Sequence, residues 1–263
     1  MQTHTMTSSP SPDGTRYPGE GTAYLVGEGV KRAALVRPYE RQPGDPLLRP
    51  LHVYALDPAA SRREGAMALV QVPYEPLQPG PTGALIAVDS QDRDGVHRAT
   101  PADLDDPRLL LQNGRQPSPL DLHFHQQMVY AVCMLTYTAF RKALGRDIAW
   151  GFGNGAEATE QAPLRVHPFG FDGQNAWYDP WHGELRFGYY RATKTVGGRN
   201  IPNGRVYTAL SHDIIVHELT HALLDGLRRR FDLPTSADVS TFHEGFADLI
   251  VRPYDLCATP DKF

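Results

Sequence analysis

The stretch Ser211-His212-Asp213-Ile214-Ile215-Val216-His217-Glu218-Leu219-Thr220-His221-Ala222-Leu223-Leu224-Asp225-Gly226 decides how the rest of the chain is read. It reads as helix and contains His-Glu-x-x-His. At 3.6 residues per turn His217 and His221 lie on one face, about 6 Å apart along the axis, so their imidazoles can be aimed at a common point. Two imidazoles suit zinc, which in a catalytic site takes a third protein ligand and keeps a position open for water. Glu218 follows the first ligand directly and stands beside that open position, where it can take a proton from the water. The motif alone has a plain alternative. In a chain with 11 histidines a chance match has a probability on the order of a few per cent, and a helical His pair is more often surface or satisfied core than ligand.

A second segment, Thr241-Phe242-His243-Glu244-Gly245-Phe246-Ala247-Asp248-Leu249-Ile250-Val251-Arg252, predicts another helix, ended by Pro253. Glu244 can serve as third metal ligand. Asp248 falls one turn later on the same face, where it can accept the free N–H of a ligand imidazole and fix its tautomer. Gly245 would let this helix approach the first closely. The alternative is structural: Thr241 and Glu244 fit a Thr-x-x-Glu capping box, which would spend the carboxylate on the backbone. His243, next to Glu244, is turned about 100° away around the helix.

These residues together resemble the thermolysin family of zinc metallopeptidases, the gluzincins: His217-Glu218-Leu219-Thr220-His221, Asp225 four residues on, then Glu244 and Asp248 on a following helix. The family's third-ligand helix reads Asn-Glu-x-x-Ser-Asp. Here the Glu and the Asp match, while His243 and Ala247 replace the Asn and the Ser. The metzincin pattern fails, because Leu224 and Leu227 occupy its Gly and His positions. The resemblance implies a zinc-dependent endopeptidase acting on peptide or protein substrates. His217, His221 and Glu244 would hold one Zn²⁺, and Glu218 would act as general base on the zinc-activated water. It also implies a helical C-terminal domain that walls the cleft and supplies an oxyanion-stabilising His. The sequence ends at Phe263, shortly after Asp248, so that domain is expected to be missing: either the chain is a fragment of a longer reading frame, or a partner completes the cleft, or catalysis is weak.

The expected fold class is α+β, with a tail over residues 1–21, a strand-rich region over 22–118 and a thermolysin-like catalytic unit over 119–263. The tail is rich in Ser, Thr, Pro and Gly. A length of 263 residues suffices for a sizeable core, and 23 prolines with 24 glycines predict many turns. A net charge of −4, scattered along the chain, argues against nucleic acid or an anionic membrane as partner. No basic region followed by an apolar one marks a secretory signal, and the apolar run over 129–140 is too short to span a bilayer. The expected location is therefore the cytoplasm, or outside the cell by a non-classical route. Cys133 and Cys257 read as free thiols, although a single bridge is compatible with the sequence.

Residues 33–37, 51–56, 67–72 and 84–89 alternate as strands of an antiparallel sheet, with His52 and His97 as isolated surface or strand residues. Asp121 and Gly145 bracket a long buried helix as N-cap and C-cap, and along it His123 and His125 point to different sides. Residues 164–167, 174–178 and 184–190 read as a strand, an edge strand and a return strand. An edge strand can hold an extended peptide by main-chain pairing. The order Asn175-Ala176-Trp177-Tyr178 is similar to the substrate-aligning strand of thermolysin-like enzymes. By that resemblance Asn175 would bond the substrate backbone through its amide and Ala176 through its carbonyl; the alternative is an ordinary aromatic hairpin. Turns at 197–200 and 202–204 lack the context of a phosphate loop. Ser211 is the expected cap of the zinc helix. The family uses an Asp near Asp213 for structural calcium, but one carboxylate falls short of the six or more oxygens calcium takes, so a calcium site is unsupported. Two other functional classes stay open at this point: a non-catalytic zinc-stabilised module that captures extended peptides, and a metal-free structure in which Glu244 only caps.

Overall fold

The computed structural model describes residues 27–58, 66–91, 99–152, 161–193, 203–230 and 236–251. The tail over 1–21, His97, the turn at 197–200, Arg252, Pro253 and Cys257 lie outside the described residues. In chain order the elements are α1 (Glu28–Ala33), β1 (Leu48–Tyr54), β2 (Met67–Pro73), β3 (Ile86–Val88), α2 (Pro107–Leu111), α3 (Leu122–Leu144), β4 (Leu164–Asp172), β5 (Ala176–Asp179), β6 (Glu184–Arg191), β7 (Arg205–Tyr207), a 3₁₀ turn (Thr208–Leu210), α4 (His212–Leu227) and α5 (Ala237–Val251). The protein is α+β. Among the described residues no helix is long and apolar enough to cross a membrane.

The core is built around α3. Asp121 accepts the His123 N–H at 3.0 Å to start it, and Gly145, at φ 66°, ends it in the left-handed region that an L side chain avoids. Phe124, Met128, Val132, Cys133 and Tyr137 are fully covered, and the helix packs against β1, β2, β3, β4 and α4. His123 meets the Thr100 hydroxyl at 2.8 Å. His125 is buried with its Nε2 3.0 Å from the Pro119 carbonyl, so the two histidines do diverge.

β1 and β2 form an antiparallel pair in which Leu51 faces Val70 and Val53 faces Ala68. Their inward positions, Leu51, Val53, Val70 and Val72, are buried, as period-two alternation requires. Two strand expectations need correction. Residues 33–37 are not a strand: Ala33 ends α1, whose Arg32 donates to the carbonyls of Trp150, Gly151 and Gly226 and pins the helix to the end of α4. A short apolar run carries no period that separates helix from strand, so this tertiary anchor decides. β3 does not join the antiparallel pair either. It pairs with β4 in parallel within a second sheet of order β3-β4-β6-β5, where β4 and β6 are parallel, β5 is antiparallel to β6, and β7 extends beside β6.

β5 pairs with β6 alone among the described strands, which makes it an edge. A Cβ on Gly188 of β6 would meet the carbonyl oxygens of Gly173 and Asn175 at 2.2 and 2.7 Å, so only glycine admits the chain at Asn175 this closely. The Gly188 N–H donates to the Asn175 carbonyl at 2.9 Å. Antiparallel pairing alternates, so the backbone groups of Ala176 and Tyr178 face away from β6, toward α4.

Candidate metal centre

α4 runs between α3 on one side and β5 and α5 on the others. Ile215, Val216, Leu219, Ala222 and Leu223 fill its inner side and are fully buried. That stripe fixes the rotation of the helix, leaving His217 and His221 on the side that meets α5. Ser211 takes the extended N-cap backbone, yet its hydroxyl makes no capping hydrogen bond among the described residues, contrary to expectation.

α5 starts at Ala237, four residues ahead of Thr241. Thr241 is therefore inside the helix and cannot cap it, which removes the capping-box account of Glu244. Gly245 is also corrected: a Cβ there would meet nothing within 4 Å among the described residues, so it does not set the approach of the helices. The small residue at the contact is Ala247, which is fully buried. Two adjacent i, i+4 rows of α5 flank α4, His243 with Ala247 and Glu244 with Asp248.

The three expected ligands converge. One donor atom each from His217, His221 and Glu244 lies within 4.8 Å of the others. His221 Nε2 is 3.1 Å from His217 Nε2, and the Glu244 carboxylate oxygens are 3.2 Å from His217 Nε2 and 3.7 Å from His221 Nε2. Donors on a tetrahedral ion with bonds of 2.0–2.1 Å stand about 3.3 Å apart. Three separations scattered around that edge length fit zinc, as does a donor set of two imidazoles and one carboxylate. Glu244 is 63% exposed and Asp248 76%, so the acidic side of the cluster opens to solvent.

The outer ring nitrogens are also engaged. His217 Nδ1 stands 3.0 Å from Asp248 Oδ1; the imidazole donates to the carboxylate there, which leaves the Nε2 lone pair facing the cluster. Asp248 thus stands beside the ring nitrogen it was expected to meet. His221 Nδ1 stands 3.0 Å from His243 Nδ1, and the two rings stack with centroids 5.2 Å apart. Sequence reasoning missed His243. It took the 100° offset from Glu244 as pointing away, but His243 is only 6% exposed because α4 lies over the boundary between both rows of α5. The small Ala247 one turn later was the available signal.

Burial pushes the Glu218 carboxyl up to about 7 in the absence of a cation, with Glu244 adding to the rise; His217 and the Tyr178 backbone N–H, which donates to this carboxylate, work against it. Burial likewise lowers the His221 imidazole to about 4, helped by His217, so it is neutral at pH 7 and free to ligate.

A cleft of about 460 Å³ is lined by Asn175, Ala176, Tyr178, His217, Glu218 and Glu244. A second of about 780 Å³ shares Asn175, Ala176, His217 and Glu218 and adds Ile214 and Asp248. The shared residues make these two halves of one groove along the open edge of β5, with the histidine–carboxylate cluster at its middle. Asn175 is exposed at this boundary while its carbonyl is held by the Gly188 N–H. Among the described residues Asp213 belongs to no group of three or more side chains that could hold a cation; it stands 3.5 Å from His212. Comparison with protein-family models and with curated protein sequences returns no match.

Proposed function

We propose that this chain is a zinc-dependent endopeptidase with a thermolysin-like catalytic arrangement. The observation that carries the reading is the convergence of His217, His221 and Glu244 from two helices, with Glu218 beside them in a groove that follows an open strand edge. A zinc ion held there would supply Lewis-acid polarisation of a carbonyl and acidify a water toward neutrality.

The remaining steps belong to the protein. An extended peptide would pair with the outward backbone groups of Ala176, with the Asn175 amide as a further contact, placing its scissile carbonyl over the cluster. Glu218, partly desolvated and already touching the strand through the Tyr178 N–H, would take the proton of the attacking water and return it to the leaving nitrogen. Asp248 and His243 would hold the imidazoles in the required tautomer.

A non-catalytic, zinc-stabilised peptide-binding module is the second reading. It draws on one observation: the Tyr178 hydroxyl and the His243 Nδ1, both beside the cleft, are committed to Asp225 and His221 and not to a substrate oxyanion. The deciding experiment measures zinc content and hydrolysis of a mixed peptide library for wild type and Glu218→Ala. The peptidase reading expects equal zinc in both and turnover in wild type alone; zinc and peptide binding without products supports the module.

A further inference from the structure

Asp225 is a carboxylate only 3% exposed that takes no part in the cluster. Burying such a group is costly unless its partners are fixed. Its Oδ1 accepts the Arg230 N–H at 2.7 Å and its Oδ2 accepts the Tyr178 hydroxyl at 2.9 Å. The backbone at Gly151 abuts it so tightly that a Cβ would come within 1.9 Å of Oδ2. That backbone is itself secured by Arg32, which donates to the carbonyls of Trp150 and Gly151 at 3.2 Å and of Gly226 at 2.9 Å. Asp225 is thus a rigid anchor on the metal helix.

Tyr178 belongs to the edge strand β5, and two of its polar groups leave the sheet for α4. The hydroxyl goes to Asp225 and the backbone N–H to Glu218. Those two residues are seven positions apart, about 20° short of two full turns, so they lie on one stripe at heights differing by about 10.5 Å. One residue therefore fastens the strand to the helix at two levels, by its side chain at Asp225 and by its backbone at Glu218, the proposed general base.

We propose that Tyr178 is a positioning residue that ties the substrate-holding edge of β5 to α4 through Asp225 and Glu218, and so sets the height of a bound peptide carbonyl relative to the base. The catalytic part of this inference rests on the peptidase reading above; the tie itself does not.

The test compares wild type with Tyr178→Phe, which keeps the ring and the backbone N–H and removes only the hydroxyl. Both full chains are loaded with zinc, and three quantities are read: zinc content, amide exchange over residues 174–180, and kcat and KM for a mixed peptide library. Zinc content is expected to stay equal. Exchange over 174–180 is expected to accelerate about tenfold, as loss of one tethering hydrogen bond implies, with β1 and β2 unchanged. kcat is expected to fall about 10- to 100-fold with KM within about twofold, because a shifted strand still binds peptide but presents its carbonyl out of place. Unchanged exchange over 174–180 overturns the tie. Faster exchange with unchanged kcat overturns the positioning role. If zinc-loaded wild type turns over no peptide, the peptidase reading falls, and the exchange comparison alone decides the tie.

Discussion

The two helices that form the cluster are held in opposite ways. α4 is walled by α3, β5 and α5, and its inner stripe is fully buried. α5 leans on α4 along one side and leaves Phe242, Glu244, Asp248 and Leu249 largely exposed. The imidazole pair is therefore placed by the core of the protein, whereas the carboxylate pair is placed by the packing of α5 on α4, by a lighter contact of Phe246 with Phe140 of α3, and by whatever the carboxylates bind. A centre of this kind has a fixed half and an adjustable half. A metal bound there would contribute to the stability of the adjustable one, because an ion bound only by the folded arrangement stabilises that arrangement.

The largest effect that sharpens this contrast is on folding. Leu219→Ala on α4 removes a fully buried side chain and is expected to cost about 2–5 kcal/mol in urea denaturation, while Leu249→Ala on α5, 58% exposed, stays within about 0.5 kcal/mol. Equal losses at the two sites would erase the distinction between the helices.

Next is a pH dependence of the metal-free chain. The folded Glu218 carboxyl titrates near 7, above its unfolded value, so between about 4.5 and 7 the folded state binds more protons and this group's contribution to stability falls as pH rises. Wild type compared with Glu218→Gln should therefore lose up to about 3 kcal/mol across that window. His221 acts in the opposite sense. Its folded value is depressed to about 4, so its contribution is lost as pH falls from about 6.5 toward 4. Taking the difference between the two Glu218 forms keeps the glutamate effect visible; a difference that grows in wild type's favour with rising pH would contradict it.

Smaller effects test the adjustable half. Asp248→Ala should weaken zinc binding about 10- to 100-fold by competition with a chelator, since it releases the His217 ring. An unchanged affinity would mean that the contact does not orient the ligand. Smallest of all, Gly245→Ala should stabilise the chain by about 0.5–1 kcal/mol with zinc affinity unchanged, because the added methyl enters open space on a helix. Destabilisation there would restore the close-approach role that the sequence suggested.

What could be read from the sequence was what local periodicity specifies. His217 and His221 share a face because of helical geometry alone, and Glu244 with Asp248 does so for the same reason. The caps of α3 were visible in Asp121 and Gly145 because capping is a local hydrogen-bond or backbone problem. What stayed hidden depends on contacts distant in sequence. The fate of residues 33–37 turned on Arg32 finding carbonyls more than a hundred residues away, and the parallel pairing of β3 turned on which strand lay beside it. His243 was missed because the position of α4 over α5, which no period in either helix states, decides which rows are covered. The start of α5 was placed a turn late because Thr241 looked like a cap in isolation.

In the proposed centre, side chains from a fixed and an adjustable helix would share one ion. Zinc per chain, measured by elemental analysis after purification of wild type and Glu244→Ala under identical conditions, tests it most directly. The account expects one zinc in wild type and a large loss in the variant; no zinc in wild type, or the same content in both, would contradict it.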